Sequence, residues 1–132
     1  PPVELLENYL LRMKKRNQII GQIGESATAD YLLQKGFRIL DRNWRIKGGE
    51  IDLVAISPNG KFHFIEVKTR SSLQFGHPLE AIDREKAHRL QKLALAWLVT
   101  HNNFGCDYQV DVSAVTLNQS ALPIIDYRTG VL

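Results

Sequence analysis

Residues 49–70 run GEIDLVAISPNGKFHFIEVKTR, from Gly49 to Arg70, and this stretch decides the fold. Two apolar runs flank Ser57-Pro58-Asn59-Gly60. Pro58 suits the first central position of a type I turn, and Gly60 the left-handed residue that closes a three-residue hairpin loop. The loop sets a register: Ser57 faces Lys61, Val54 faces Phe64, and Asp52 faces Glu66. Period-two alternation then puts Asp52, Val54, Ile56, Phe62, Phe64, Glu66 and Lys68 on one face, apolar near the turn and charged at the far end. Carboxylates opposed on neighbouring strands repel each other, and burying them costs free energy unless a cation neutralises them. A fold that needs only stability has little reason to choose them.

Working outward, Phe37 to Trp44, Glu50 to Ile56 and Lys61 to Thr69 read as three strands. Tyr108 to Leu117 and Leu122 to Tyr127 follow as two more. Leu5, Leu6, Tyr9, Leu10 and Met13 predict a short amphipathic helix over 4–16, able to cover the core or dock a second copy. A second helix is expected from about Ile19 to Gln34, with Ile20, Ile23, Ala27 and Tyr31 on its apolar stripe and Gly36 closing it. Glu25 lies well round from that stripe, near Ala29 and Leu32, and on the residues alone is an exposed helical carboxylate. After a linker containing Gly76 and Pro78, a helix runs from Leu79 or Arg84 to Thr100. Ala87, Leu90, Leu93, Ala94, Trp97 and Leu98 form its apolar side. This order predicts an α/β fold with one mixed sheet covered by helices. Residues 1–18 are expected as an N-terminal helical extension, and residues 19–132 as a single domain.

Composition bounds the function. The chain has 132 residues, 44% hydrophobic and 23% charged, which is ordinary for one soluble globular domain. No run approaches the roughly 18 apolar residues of a membrane span. One cysteine, Cys106, excludes an internal disulfide, fits a cytoplasmic location, and is expected buried. The net charge of +3 is modest, but Arg12, Lys14, Lys15 and Arg16 cluster early, and Arg38, Arg42, Arg45, Lys47, Arg84, Lys86, Arg89 and Lys92 flank the acidic motif. Such flanking suits a polyanion such as nucleic acid. His63, His77, His88 and His101 lack the close pairing of a zinc site. Trp44 and Trp97 read as core, and Gly48-Gly49 as a strand-shaping turn. Glu50, opposite Lys68 in the expected register, reads as a supporting salt bridge.

The chemistry of the charged end follows from its donors. Hydrolysis of a phosphodiester needs a basic water and neutralised phosphoryl charge, and Mg²⁺ or Mn²⁺ held by a few oxygens supplies both. Asp52 and Glu66 are the candidate direct ligands, with the Val67 backbone carbonyl as a third donor, and Lys68 orients water or offsets charge. The competing reading is a salt-bridged strand pair with Lys68, Arg70 or Arg45 as cations.

Asp52, thirteen intervening residues holding a hairpin, then Glu66-x-Lys68 is similar to the PD-(D/E)xK pattern of restriction-endonuclease-like nucleases. The wider run comprises Gly21-x-x-x-Glu25, Lys35-Gly36-Phe37, Asn43, Gly49 to Val54, Phe64 to Arg70, Phe75-Gly76, Lys86 and Asp111. It resembles the YraN family of bacterial proteins, which are similar to archaeal Holliday-junction resolvases, over roughly residues 21–117. The resemblance implies a restriction-endonuclease-like three-layer fold, a mixed central sheet flanked by helices. It also implies a catalytic set of Glu25, Asp52, Glu66 and Lys68, with Glu25 adding a carboxylate to the metal ligands. Arg42, Arg45, Lys47, Arg70 and Lys86 are the expected DNA contacts, and a homodimer is compatible. The chain departs from the family at Gln109-Val110, where Arg-Phe is usual, so a basic contact near the site is expected to be missing. Three function classes follow: a divalent-metal-dependent nuclease acting on branched or damaged DNA, a nucleic-acid-binding protein with little activity of its own, and a scaffold whose charged cluster is structural.

Overall fold

The computed structural model describes residues 2–71, 83–118 and 121–131, with the side chain of Ala121 left aside. Phe75-Gly76, the linker with Gly76 and Pro78, Ser72, His77 and Leu79 lie outside these residues. The order is α1 (Val3–Gln34), β1 (Arg38–Ile46), β2 (Gly49–Ile56), β3 (Phe62–Ser71), α2 (Arg84–Thr100), β4 (Tyr108–Asn118) and β5 (Ala121–Arg128). The strands form one sheet in the order β1-β2-β3-β4-β5. β3 and β4 run parallel, and the other neighbours are antiparallel. A parallel pair needs a long crossover, which here includes α2. The fold is α/β with three layers, as expected.

The hairpin forms as its turn chemistry requires. Ser57 N–H donates to the Lys61 carbonyl at 2.9 Å and Gly60 N–H to the Ser57 carbonyl at 2.9 Å, with Gly60 at φ 86. Val54 pairs with Phe64 and Leu53 with Ile65, which is the expected register. α2 packs on one face of the sheet, burying Leu90, Leu93, Ala94, Trp97 and Leu98 against Ile51, Val54, Phe62, Phe64 and Val110. α1 covers the other face, with Ala29 and Leu32 against Leu53, Ala55 and Ile65.

Three expectations change. The two helices expected before Gly36 are one continuous helix, because nothing between Arg16 and Ile19 breaks it: Asn17 and Gln18 are tolerated inside a helix. Its buried face is Gly24, Thr28, Ala29 and Leu32, rotated from the Ile20–Ile23–Ala27–Tyr31 stripe. Close approach selects that face: a Cβ on Gly24 would sit 1.7 Å from Thr69 Oγ1, and Thr28 shares a 2.7 Å hydrogen bond with Ser113. Cys106 is exposed, on the turn after α2. The helix ends as the glycine predicts: Gly36 has φ 87, and Phe37 N–H returns to the Leu32 carbonyl at 3.0 Å.

Candidate metal and phosphate site

The apolar half of the hairpin face is buried under α2, and its charged half opens into a cleft of about 330 Å³. Asp52 and Glu66 line this cleft together with Lys68, Lys86 and Arg89. Leu90, Leu93, Val110 and Val112 form its apolar wall, and Glu50 and Gly48-Gly49 its rim. Asp52 and Glu66 therefore share one cleft, although the strand pairing expected between them is not formed: it ends at Leu53–Ile65.

The local backbone explains how Asp52 is presented. Arg42 pairs with Leu53 and Trp44 with Ile51, leaving Asn43 across from Asp52. Asn43 sits in the left-handed region at φ 51. A non-glycine residue there is uncommon, and Asn tolerates it best. Around this point alternation breaks: Ile51 and Val54 both face α2, whereas Leu53 faces α1. The described β2–β3 pairing stops at Leu53–Ile65, and Asp52 Oδ2 accepts the Val67 N–H at 2.8 Å.

Electrostatically Asp52 is short of cations: the charges that act on it are carboxylates. Burial pushes the Asp52 carboxyl up to about 7, Glu66 adds to the rise, and Glu25 and Glu50 act in the same direction. The Val67 N–H opposes them without prevailing. Burial also raises Glu66, against the pull of Lys68 and then Lys86. Lys68 Nζ stands 3.9 Å from Glu66 Oε1, at the limit of an ion pair. Glu25 does not line the cleft. It approaches from α1, half-buried, with its carboxyl raised by burial and held back by a hydrogen bond with the Asn43 side chain. Its charge is nonetheless felt by both Asp52 and Glu66.

The donor set fits a hard divalent cation. Among the described residues no group of three or more His, Cys, Asp or Glu is placed to hold a metal ion, so an ion here would rest on two carboxylates and other oxygens. Two carboxylates with room for backbone, water or phosphate oxygens match the habit of Mg²⁺.

Of the expected DNA contacts, Lys86 lines the cleft, Arg42, Arg45 and Lys47 are exposed on and beyond β1, and Arg70 is half-buried late in β3. Glu50 is bridged by Arg45 at 2.8 Å rather than by Lys68, because the tight turn at Lys47-Gly48 sets Arg45 opposite Glu50. Where a basic contact was expected to be missing, the Gln109 amide donates to Asp111 at 2.7 Å and Val110 lines the cleft wall. His63, read only as a non-ligand, lies 2.7 Å from Asp111 in a buried pair that the sequence reading missed. No local pattern signals a contact across 48 positions. Asn43 carried one signal, its place in the family motif, though its hold on Glu25 was not anticipated. Among the described residues no helix is long and apolar enough to cross a membrane.

Comparison with known proteins agrees with the family resemblance. The profile of "Uncharacterised protein family UPF0102" matches residues 24–115. A UPF0102 protein of Trichlorobacter lovleyi is 44% identical over 113 residues, covering 86% of this chain and 89% of the relative. One of Renibacterium salmoninarum is 44% identical over 113 residues, covering 85% and 94%. One of Caldanaerobacter subterraneus is 40% identical over 113 residues, covering 85% and 92%. Among solved structures, Pyrococcus furiosus SfsA in complex with Ca²⁺ overlaps 89% of this chain and 64% of its own at 12% identity. Its TM-score of 0.33 is too low to bear on the site. With a profile match over most of its length and relatives at this identity, the chain belongs to the UPF0102 family.

Proposed function

We propose that this protein is a divalent-metal-dependent nuclease that hydrolyses DNA phosphodiesters, with branched or damaged DNA as its substrate class. One observation carries the reading: two carboxylates, the buried Asp52 and the half-buried Glu66, face a single cleft also lined by Lys68, Lys86, Arg89 and Glu50. A structural ion pair would match each carboxylate with a cation, yet the charges that act most on Asp52 are all negative.

Asp52 and Glu66 would hold Mg²⁺ or Mn²⁺, with the Val67 carbonyl as a third donor and Glu25 adjusting the local charge. When bound, the ion supplies a more acidic water and neutralises phosphoryl charge. The protein's own groups do the rest. Lys86 and Arg89 attract and seat phosphates at the cleft mouth. Lys68 directs its ammonium toward the Glu66 carboxylate and offsets charge growing on the phosphoryl group. Leu90, Leu93, Val110 and Val112 limit bulk water on one side. Arg42, Arg45, Lys47 and Arg70 extend the basic surface for sequence-indifferent backbone contact.

The test is cleavage of duplex, flap, single-stranded and four-way DNA with Mg²⁺, Mn²⁺ or chelator, by wild type and Glu66→Gln. Metal-dependent cleavage lost in the variant is expected. Salt-sensitive binding with no cleavage of any substrate would replace the nuclease with a binding protein of the same fold. Absence of both would leave the structural reading.

A further inference from the structure

The helix α1 is longer than the sheet can use. It starts at Val3, yet its buried residues begin at Gly24. At 1.5 Å per residue the part before Gly24 is about 30 Å long. In proteins most helical stability comes from packing an amphipathic face rather than from propensity, and large exposed apolar patches mark interaction sites. Here Leu6, Leu10 and Met13 are 59%, 55% and 41% exposed.

Val3, Leu6, Leu10, Met13, Asn17 and Ile20 follow alternating steps of three and four, the a and d seam of a heptad repeat. At 100° per residue they span an arc of about 100° that holds no charged side chain. Seven residues beyond Asn17 the seam reaches Gly24, packed against Thr69. The seam is thus the outward continuation of the face that the sheet buries.

We infer that a second copy of this chain covers this seam, with the two helices antiparallel. The charges choose both occupant and direction. Glu4 and Glu7 precede the seam's midpoint, and Arg12, Lys14, Lys15 and Arg16 follow it. An antiparallel pair centred between Leu10 and Met13 lays each acidic end along the partner's basic end. A parallel pair would stack four cations on four. Asn17, the polar member of the seam, is of the kind that fixes register at some cost in stability.

Sedimentation equilibrium of the full chain across the micromolar range tests this. A dimer is expected, weakening as salt rises. Leu10→Lys combined with Met13→Lys should weaken it by about 100-fold or more. Thermal unfolding of the resulting monomer should still show a cooperative core. Glu7→Lys alone should also weaken the dimer, and adding Lys14→Glu should restore part of the loss. A wild-type monomer throughout, or a dimer indifferent to the Leu10 and Met13 changes, overturns the proposal. A Glu7→Lys variant that dimerises like wild type overturns the antiparallel order.

Discussion

Asp52 and Asp111 are buried aspartates on interior strands of one sheet, 9% and 0% exposed, and their surroundings treat them in opposite ways. Asp111 accepts from Tyr127 Oη at 2.6 Å, Gln109 Nε2 at 2.7 Å and Gly130 N–H at 3.0 Å, and from His63 Nδ1 at 2.7 Å. Burial alone would raise its carboxyl, but these bonds, His63 foremost, hold it below the ordinary range. Asp52 accepts the Val67 N–H, faces Glu66, and is raised. A buried carboxylate surrounded by donors ties chain segments together, here β3, β4, β5 and the tail at Gly130. A buried carboxylate surrounded by other carboxylates is left wanting a cation. The first arrangement serves stability; under the proposed nuclease reading the second serves a ligand.

The largest effect that could break this contrast is at Asp111. Asp111→Ala would strand several buried donors, and a loss of about 3–5 kcal/mol is expected in urea unfolding. A loss below about 1 kcal/mol would show that Asp111 is not the structural member of the pair.

Next comes pH, where the two aspartates have opposite signs. Asp52 keeps its proton in the fold up to about 7, against 3.8 as an ordinary aspartate. Between these values the folded state binds more protons than the unfolded chain, so stability falls as pH rises. In chelator, the stability of wild type relative to Asp52→Asn should fall by on the order of 2–4 kcal/mol between about pH 4 and 8. Asp111, with its lowered carboxyl, contributes stability above its unfolded value and loses it as pH falls through the folded one. Comparing wild type with Asp111→Ala in acid should therefore give the reverse slope. A pH-independent difference between wild type and Asp52→Asn would remove the contrast.

A smaller test separates stability from activity at the cleft. Lys68 and Glu66 are both about a third exposed, at 32% and 29%, so their 3.9 Å contact is partly screened. Lys68→Met should change stability by less than about 1 kcal/mol. Metal-dependent cleavage should drop by about 100-fold. Equal activity would show that Lys68 only balances Glu66. The smallest effect is expected at Asn43→Gly, which keeps the left-handed backbone and removes the side chain that bonds Glu25. Stability should move by less than about 1 kcal/mol, while the Glu25 carboxyl, followed by NMR titration, rises further. An unmoved Glu25 would show that Asn43 shapes only the strand.

The two aspartates also differ in how far they could be read from sequence. Asp52 was legible because its setting is local: a three-residue turn and period-two alternation place it with Glu66 and Lys68. Even so, the break in alternation at Asn43 was not visible, since a left-handed asparagine in a strand leaves no trace in hydropathy. Asp111 is legible only as part of a motif, because its partners come from positions 63, 109, 127 and 130, which topology alone brings together. α1 shows the same limit: Gly24 and Thr28 win the buried face by closeness of approach, which an apolar stripe does not reveal. Glu50 was assigned to Lys68 through one hairpin while the neighbouring hairpin gave it Arg45.

Thermal melts of wild type and Asp52→Asn, each in chelator and with Mn²⁺, test the central claim most directly. If Asp52 and Glu66 form a cation seat, Asp52→Asn in chelator at about pH 8 matches or exceeds wild type, because one of two facing charges is gone. Mn²⁺ then stabilises wild type and has little effect on the variant. If Asp52 were half of a buried ion pair, the variant would lose about 3–5 kcal/mol in chelator. That loss, with no Mn²⁺ effect on wild type, would contradict the account.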